Sequence, residues 1–175
     1  MTIDEAFALI DITAISQYQH IARWADLGCG NGIFTQALAR LLSKGSIIYG
    51  IDKDRSIKPG VTDGGVEIIS KKSDFIEDDL EIGNLDGILM ANSLHYVKDK
   101  PGFIKKMKTY LKPEGIFLLV EYDTAIPVAN WVPYPVSFLA LTKLFENAGY
   151  TRVKKLHERP SVYGRANMYS ALVEK

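Results

Sequence analysis

In the segment Ala25-Asp26-Leu27-Gly28-Cys29-Gly30-Asn31-Gly32, three glycines at alternate positions follow directly behind a short apolar run. Glycine has no Cβ, so such a loop can turn sharply and lie against a ligand with no side chain in between. Twenty positions after Gly32, the run Tyr49-Gly50-Ile51-Asp52 ends a second apolar segment on a carboxylate. A carboxylate at the tip of the second strand is where nucleotide-binding sheets hold a ribose diol. Together the two features predict a site for a nucleoside-containing cofactor.

The glycine spacing argues against a nicotinamide or flavin dinucleotide. The dinucleotide fingerprint is Gly-x-Gly-x-x-Gly, and position 33 is Ile33 rather than glycine. A pyrophosphate also favours a helix N-terminus with no neighbouring carboxylate, whereas Asp26 places a negative charge just before the first glycine. We therefore expect a ligand that carries positive charge and no phosphate.

This segment resembles the first motif of class I S-adenosylmethionine-dependent methyltransferases, whose cofactor carries an ammonium and a sulfonium and no phosphate. The resemblance continues along the chain. Ser73-Asp74-Phe75 follows a possible third strand, residues 85–96 look like the fourth strand and its loop, and residues 111–120 look like the turn into the fifth. Nearly the whole chain, from about residue 24 to the end, can be aligned with the family.

The resemblance implies that the first two motifs hold the methionyl and ribose parts of the cofactor. Asp26 would support the loop and the methionyl ammonium, or alternatively cap backbone donors of the loop. Gly28 and Gly30 would allow close approach. Asp52 would accept from both ribose hydroxyls, unless it is a surface residue of the charged run that continues with Lys53.

The later motifs would hold the adenine and the sulfur end. Asp74 resembles the acid that faces the exocyclic amine of adenine, and Phe75 would give a backbone contact or a ring against the base. Asn92 stands where the family places a carbonyl or a side chain beside the methionyl group. The expected cofactor is S-adenosylmethionine, with S-adenosylhomocysteine as product, and no metal is expected. The implied cofactor-binding set is Asp26, Gly28, Gly30, Asp52, Lys53, Asp74, Phe75 and Asn92.

Candidate acceptor-side residues follow the fourth strand. His95, in a loop predicted to point toward the transferable methyl, is the candidate for a catalytic base or substrate anchor. The alternative is a structural histidine with satisfied hydrogen bonds. The substrate-wall candidates, any of which could instead be packing residues, are Tyr18, Tyr96, Tyr122 and Tyr163. Weaker ones are Glu121, Trp131 and Tyr134, with His20 closing the site from above.

Strand-sized apolar runs alternate with helical patterns. Strands are predicted at 23–26, 46–51, 66–70, 86–91 and 115–121, helices at 33–42, 101–111 and 137–148, and a final pair of strands at 152–156 and 167–173. This order predicts an α/β, Rossmann-like, doubly wound sheet of seven mostly parallel strands, with helices on both faces and a C-terminal antiparallel hairpin. Pro59, Gly60, Gly64 and Gly65 follow the second strand, so the crossover helix there should be shortened or irregular.

A length of 175 residues predicts a single domain. Within it, residues 1–22 would form a helical cover, residues 23–123 the cofactor-binding half and residues 124–175 the substrate-side half. The sheet face beside the irregular crossover would be thinly covered or paired with another subunit, so a homodimer is an open alternative.

The bulk composition excludes some partners. Lys plus Arg and Asp plus Glu both total 21, so the chain has no net positive charge that would attract nucleic acid. The apolar runs fall short of the roughly 20 residues of a membrane helix, and the acidic N-terminus is unlike a secretory signal. We therefore expect a cytoplasmic protein without membrane partners. Cys29, the single cysteine, should be a small, unreactive buried residue.

The sequence thus predicts an S-adenosylmethionine-dependent methyltransferase with a small-molecule acceptor. Two alternatives stay open: a catalytically silent cofactor- or partner-binding member of the same fold, and an RNA methyltransferase. The Asn/Asp-Pro-Pro-Tyr tetrapeptide of relatives that methylate exocyclic amines is absent, since Asn92-Ser93-Leu94-His95 stands in its place. This argues against methylation of nucleobase amines, and the atom methylated remains open.

Overall fold

The computed structural model describes residues 1–12, 20–160 and 166–175, and their strands form one mixed sheet. The strands are β1 (Arg23–Leu27), β2 (Ile47–Asp52), β3 (Gly60–Val61), β4 (Glu67–Lys72), β5 (Leu85–Ala91), β6 (Leu111–Tyr122), β7 (Arg152–Pro160) and β8 (Asn167–Glu174). The α-helices are α1 (Ile3–Ile10), α2 (Ile33–Ala39), α3 (Lys100–Lys108) and α4 (Phe138–Asn147). A single 3-10 turn is described at Leu94–Tyr96.

The strand order is β3-β4-β2-β1-β5-β6-β8-β7. Strands β4, β2, β1, β5 and β6 are parallel neighbours, whereas β8 runs antiparallel between β6 and β7. The predicted doubly wound sheet with a C-terminal antiparallel hairpin is therefore confirmed. The order reverses at β1, which has β2 on one side and β5 on the other, and ligands of such sheets bind outside the carboxyl ends of the strands at this point.

Helices cover both faces of the sheet, as predicted. Successive side chains of a strand point to opposite faces, so Trp24 packs in the core beneath α1 and α2, while Ala25 packs in the core beneath α3 and α4. The chain entry into α1 is fixed by a capping box, in which Thr2 and Glu5 each accept a hydrogen bond from the other's backbone amide.

The sheet has eight strands rather than the predicted seven, and the difference lies in the connection from β2 to β4. Residues 53–66 contain no α-helix; the connection instead includes β3, which pairs antiparallel with β4. Ile57 fills part of the missing helix's place by packing with Cys29 and Ile68 in a small separate cluster. Residues 73–84, between β4 and β5, also form turns rather than a helix. The crossover after β2, predicted to be shortened or irregular, thus contains no α-helix, and the β4–β5 connection, for which no helix was predicted, contains none either.

None of the helices in the described residues has the length and apolar character that crossing a membrane requires.

Candidate functional site

A cavity of about 280 Å³ opens beside the carboxyl ends of β1 and β5, at the reversal of strand order. The glycine loop, the start of α2 and the ends of β5 and β6 contribute to its wall. Lining residues that matter for its chemistry are Asp26, Gly28, Gly30, Asn92, Tyr122 and Met168.

The first two glycines of the loop serve different purposes. Gly28 has φ +76, and a Cβ at this position would lie only 2.6 Å from the Cβ of Ser93. Gly30 has φ +55, and a Cβ there would meet no described protein atom within 4 Å. Since Gly30 lines the cavity, the space beside it is open to a ligand, whereas the space beside Gly28 is filled by the protein.

Asp26 is a buried carboxylate with one oxygen satisfied. The Thr35 hydroxyl donates to its Oδ2 at 2.6 Å, while Oδ1 has no hydrogen-bond partner in the part of the chain that the structure describes. Burial raises the pKa of Asp26 to about 7; the hydrogen bond from Thr35 opposes this rise and the charge of Asp52 adds to it. Such a group gains most from a nearby cation that also donates a hydrogen bond.

Asn92 presents a second unsatisfied oxygen. Its backbone is in the left-handed region with φ +55, and its amide donates to the Val120 carbonyl at 2.8 Å. The side-chain Oδ1 is buried, and no donor among the described residues reaches it. Buried polar atoms are normally hydrogen-bonded, so two unpartnered acceptors on residues that line one cavity indicate a site for a cationic group with N–H donors.

Asp52, at the end of β2, holds the glycine loop in place. Its Oδ2 accepts from the Gly30 amide at 2.9 Å, and its Oδ1 accepts from the amides of Asp54 and Arg55 at 2.9 Å each. A carboxylate offers about four acceptor positions, so one position on Oδ2 stays available to a ligand. The loop thus takes up acceptor capacity that the sequence assigns to a ribose diol.

The turn after β4 places the acid and the aromatic ring of the third motif in different surroundings. Lys53 Nζ lies 3.4 Å from Asp74 Oδ2, and Asp74 Oδ1 accepts from the Ile76 amide at 3.0 Å. Phe75 is buried, and its ring packs edge-on against Phe103 with centroids 5.9 Å apart. The ring belongs to the core, and its edge also approaches the glycine loop, since a Cβ at Gly28 would lie 3.3 Å from Phe75 Cε1.

His95 lies in the 3-10 turn after β5 and is paired with Glu121 of β6. Its Nδ1 is 2.7 Å from Glu121 Oε2, and its backbone N–H donates to Glu121 Oε1 at 3.1 Å. His95 does not line the cavity, but Tyr122 does, and the Tyr122 ring centroid is 6.3 Å from that of the imidazole. The imidazole of His95 therefore lies outside the cavity, near an aromatic ring that lines it.

The sequence profile of the methyltransferase domain family matches residues 11–174. The chain belongs to this family. The ubiquinone biosynthesis O-methyltransferase of Methylobacterium nodulans is 31% identical over 149 residues, a match that covers 72% of this chain and 58% of that relative. The chain spans about half the length of the curated relatives it matches.

Solved methyltransferases share the fold. A SAM-dependent methyltransferase from Leishmania major has a TM-score of 0.73 and 16% identity, with 99% of this chain and 72% of that chain covered. The 1,6-didemethyltoxoflavin-N1-methyltransferase of Burkholderia thailandensis, solved with that substrate and S-adenosylhomocysteine, has a TM-score of 0.69 and 17% identity, covering 99% and 77%. The resemblance to class I methyltransferases is confirmed for family and fold.

In this methyltransferase domain, the predicted residues differ in where the structure places them. Asp26, Gly28, Gly30, Asn92 and Tyr122 line the cavity, and Asp52, Lys53 and Asp74 lie at the ends of the neighbouring strands β2 and β4. Tyr96 is exposed, with its ring centroid 4.5 Å from that of His95, and Trp131 and Tyr134 are also exposed. Tyr18 and Tyr163 lie outside the described residues.

His20 does not close the site, contrary to the sequence prediction. Its Nε2 lies 3.4 Å from Asp86 Oδ1, near the start of β5, and therefore at the edge of the sheet opposite to the cavity. Cys29 is buried as predicted; burial, followed by the charges of Asp26 and Asp52, raises its thiol pKa to about 12. Within the described residues, no group of three or more His, Cys, Asp or Glu is arranged to hold a metal ion.

Several site residues have no signal of their own in the sequence. Thr35 looks like an ordinary helix residue, and Met168 like an ordinary strand residue. Of these three residues, Ser93 is the easiest to predict from the sequence, because it follows Asn92 directly. Its hydroxyl donates to the Leu27 carbonyl at 2.6 Å, which ties the loop after β5 to the end of β1.

Proposed function

We propose that this chain is an S-adenosylmethionine-dependent methyltransferase whose acceptor is a small molecule. The observation that supports it most is the pair of unpartnered buried oxygens, Asp26 Oδ1 and Asn92 Oδ1, on residues lining one cavity. An ammonium would supply the N–H donors that these oxygens lack, whereas a pyrophosphate would set negative charge against Asp26. When bound, the cofactor supplies a methyl group activated by a positively charged sulfur.

Each chain residue then has a proposed role in holding that cofactor. Asp26 and Asn92 bind the ammonium, and the open space at Gly30 lets the ligand lie against the backbone. Asp52 accepts from one ribose hydroxyl at the free position of Oδ2. Asp74, oriented by its contact with Lys53, would accept from the adenine amine, and the Phe75 backbone would contact the base.

The acceptor site is proposed to lie beyond Tyr122. Here the protein must bring the acceptor into line with the methyl group and exclude water. His95 is the proposed base, and Tyr18, Tyr96 and Tyr163 stay proposed wall residues. The relatives' names support a small molecule as acceptor, since one is an O-methyltransferase of ubiquinone biosynthesis and another an N1-methyltransferase of a didemethyltoxoflavin.

Calorimetry with two product-like ligands tests the cofactor site. S-adenosylhomocysteine carries the ammonium, and 5′-methylthioadenosine has the nucleoside and sulfur without it. We expect Asp26→Asn to weaken S-adenosylhomocysteine binding by about 10- to 100-fold, the usual loss for a charged hydrogen bond. Binding of methylthioadenosine should change less than about twofold. Asp63→Asn, a matched change at an exposed aspartate of the β2–β4 connection, should alter neither.

Three results would refute the proposal. One is failure of the wild type to bind S-adenosylmethionine and S-adenosylhomocysteine at sub-millimolar concentration. The second is an equal loss of affinity for S-adenosylhomocysteine and for methylthioadenosine in Asp26→Asn, because the ammonium would then not contact Asp26. The third is NADH binding in competition with S-adenosylhomocysteine.

A further inference from the structure

Residues 73–84, which carry Asp74, connect β4 to β5 without an α-helix. Backbone carbonyls in such a connection lack the partners that a helix would give them. Lys106 of α3 supplies partners for two of them, since its Nζ donates to the Ile76 carbonyl at 2.9 Å and also to the Asp78 carbonyl. One ammonium therefore replaces hydrogen bonds that a helical connection would form within itself.

Two further residues on the same side of α3 contact this connection. The Phe103 ring packs edge-on against Phe75. Tyr110, directly after α3, donates through its hydroxyl to Asp79 Oδ1 at 2.8 Å and accepts from the Leu80 amide at 3.3 Å. Positions 103, 106 and 110 are three and four residues apart, which places them on one side of the helix and its last turn. This side of α3 holds the connection from Phe75 to Leu80.

A lysine suits the central position because the connection is acidic. Its acidic residues are Asp74, Glu77, Asp78, Asp79 and Glu81. The pKa of Asp79 is lowered first by the hydrogen bond from Tyr110 and further by the charge of Lys106. The ammonium thus offsets repulsion between neighbouring carboxylates as well as satisfying two carbonyls.

The hydrogen bonds of the turn link Lys106 to the position of Asp74. Asp78 Oδ2 accepts from the Asp74 amide at 2.8 Å, and the Asp78 amide donates back to the Asp74 carbonyl at 2.8 Å. Asp78 is also one of the two residues whose carbonyl Lys106 holds. Lys106 therefore acts on Asp74 through a single intervening residue, whereas Lys53 Nζ lies 3.4 Å from the Asp74 carboxylate itself.

We infer that Lys106 is a positioning residue for recognition of the adenine base. This inference rests on the proposed function, in which Asp74 accepts from the exocyclic amine of adenine. By fixing the turn of Asp74 and Asp78, Lys106 keeps Asp74 Oδ2 in place for that amine. A 6-oxopurine has a carbonyl where adenine has the amine, so it would set one acceptor against another. The site selects adenine, and Lys106 determines how strongly.

Selectivity between the two bases reports the position of Asp74 better than affinity alone. A fixed carboxylate cannot avoid the carbonyl of a 6-oxopurine, whereas a loosely held one can turn away from it. Loss of Lys106 should therefore weaken binding of the adenine ligand and spare the 6-oxopurine ligand. A lysine that only stabilised the fold would change both affinities alike.

Calorimetry with S-adenosylhomocysteine and S-inosylhomocysteine measures this selectivity, because the second ligand has an oxygen in place of the amine at purine position 6. The wild type should prefer the adenosyl ligand by at least about 100-fold. Lys106→Met keeps a long side chain without its charge and donors. It should bind the adenosyl ligand about 10- to 30-fold more weakly and the inosyl ligand within about threefold of the wild type.

The neighbouring lysine provides a matched control. Lys105→Met, at an exposed position of α3, should change neither affinity. Lys106→Arg keeps a cation that can donate to both carbonyls, so its preference should stay within about threefold of the wild type. Thermal unfolding checks that each variant is folded at the temperature of the titration. If Lys106→Met does not fold, Tyr110→Phe takes its place and should lower the preference at least about threefold.

A Lys106→Met protein that keeps the wild-type preference overturns the inference. So does an equal loss of affinity for both ligands, or a Lys106→Arg protein that behaves like Lys106→Met. Equal wild-type affinities would also overturn it, because Asp74 would then not face purine position 6. If the wild type still binds S-adenosylhomocysteine in these cases, the cofactor site stands and this inference fails. If the wild type binds neither ligand, the proposed function fails as well.

Discussion

Thr35 donates a 2.6 Å hydrogen bond to Asp26 and so satisfies one oxygen of a carboxylate that is almost completely buried. Thr35 is itself inaccessible on α2, which means that water cannot replace it. The other oxygen has no partner among residues 1–12, 20–160 and 166–175. Burial raises the Asp26 pKa to about 7, so near neutral pH the free protein contains both the acid and the carboxylate.

Cofactor affinity should therefore depend on pH. The carboxylate form binds the ammonium, so below pH 7 a proton must leave Asp26 before binding. We expect the Kd for S-adenosylhomocysteine to rise roughly tenfold for each pH unit below 7 and to be flat from pH 7.5 to 8. Calorimetry in buffers of different ionisation enthalpy should detect release of close to one proton at pH 6 and almost none at pH 8.

The control for this prediction is Asp26→Asn, which cannot titrate. Its weaker binding should be independent of pH between 6 and 8. A wild-type Kd that stays constant over this range would show that Asp26 is already ionised in the free protein, and would contradict the prediction.

The same carboxyl group should limit the stability of the free protein. A folded-state pKa of about 7 against an ordinary value of 3.8 means that the native state binds the proton more tightly than the unfolded chain. Stability from this group is full below about pH 4 and is lost as pH rises through 7, by roughly 4 kcal/mol in total. Asp26→Asn should therefore unfold at a higher temperature than wild type at pH 8, and this advantage should shrink at pH 5.

Thermal unfolding at the two pH values measures this difference, with Asp63→Asn as the variant expected to match wild type at both. An Asp26→Asn protein that is less stable than wild type at pH 8 would show that the buried charge is compensated in the native state.

The parts of this site that the sequence predicts are those with local signals. Asp52 is the last residue of a strand, and the glycine loop and Asn92 each follow one. In a parallel sheet the carboxyl ends of the strands meet at one edge. The same rule explains the error at His20: this residue precedes β1, and a five-residue strand carries the chain to the opposite edge before the loop begins.

The unpredicted parts depend on contacts between distant segments. Glu121 meets His95 only because β5 and β6 are neighbours in a particular register. Phe75 turns inward because Phe103 of α3 offers an edge-on partner. Pro59 and the nearby glycines indicate from the sequence that the β2–β4 connection lacks a regular helix. That Ile57 fills this place by packing on Cys29 and Ile68 is a tertiary feature, which the sequence does not show.

The two glycines that line the cavity should respond differently to the same substitution. Gly28→Ala places a Cβ 2.6 Å from that of Ser93, so the loops after β1 and β5 must separate and the protein should lose about 2–4 kcal/mol of stability. Gly30→Ala meets no described protein atom and should lose only about 1–2 kcal/mol, from its left-handed backbone. Its Cβ projects into ligand space, so binding of S-adenosylhomocysteine should fall at least tenfold.

Denaturant unfolding and calorimetry on the two variants measure this contrast. Adding Ser93→Gly to Gly28→Ala removes the contacting Cβ and should recover part of the lost stability, while the same addition to Gly30→Ala should not. Unimpaired cofactor binding by Gly30→Ala would be inconsistent with a ligand lying against that glycine.

Ile57 should protect the back of the glycine loop, in the place that a crossover helix would otherwise occupy. Its side chain lies over Gly50, where an added Cβ would overlap its Cδ1 and lie 3.4 Å from Cys29 Sγ. Ile57→Ala should cost about 2–3 kcal/mol and open a path to the thiol. Because Cys29 is the only cysteine, its rate of reaction with a disulfide reagent at pH 8 reports this opening and should rise at least tenfold.

Val61→Ala, at a 71% exposed position of the same connection, should leave the rate unchanged. Equal rates in the two variants would mean that Cys29 is reached only through the cofactor cavity, and excess S-adenosylhomocysteine should then protect it in both.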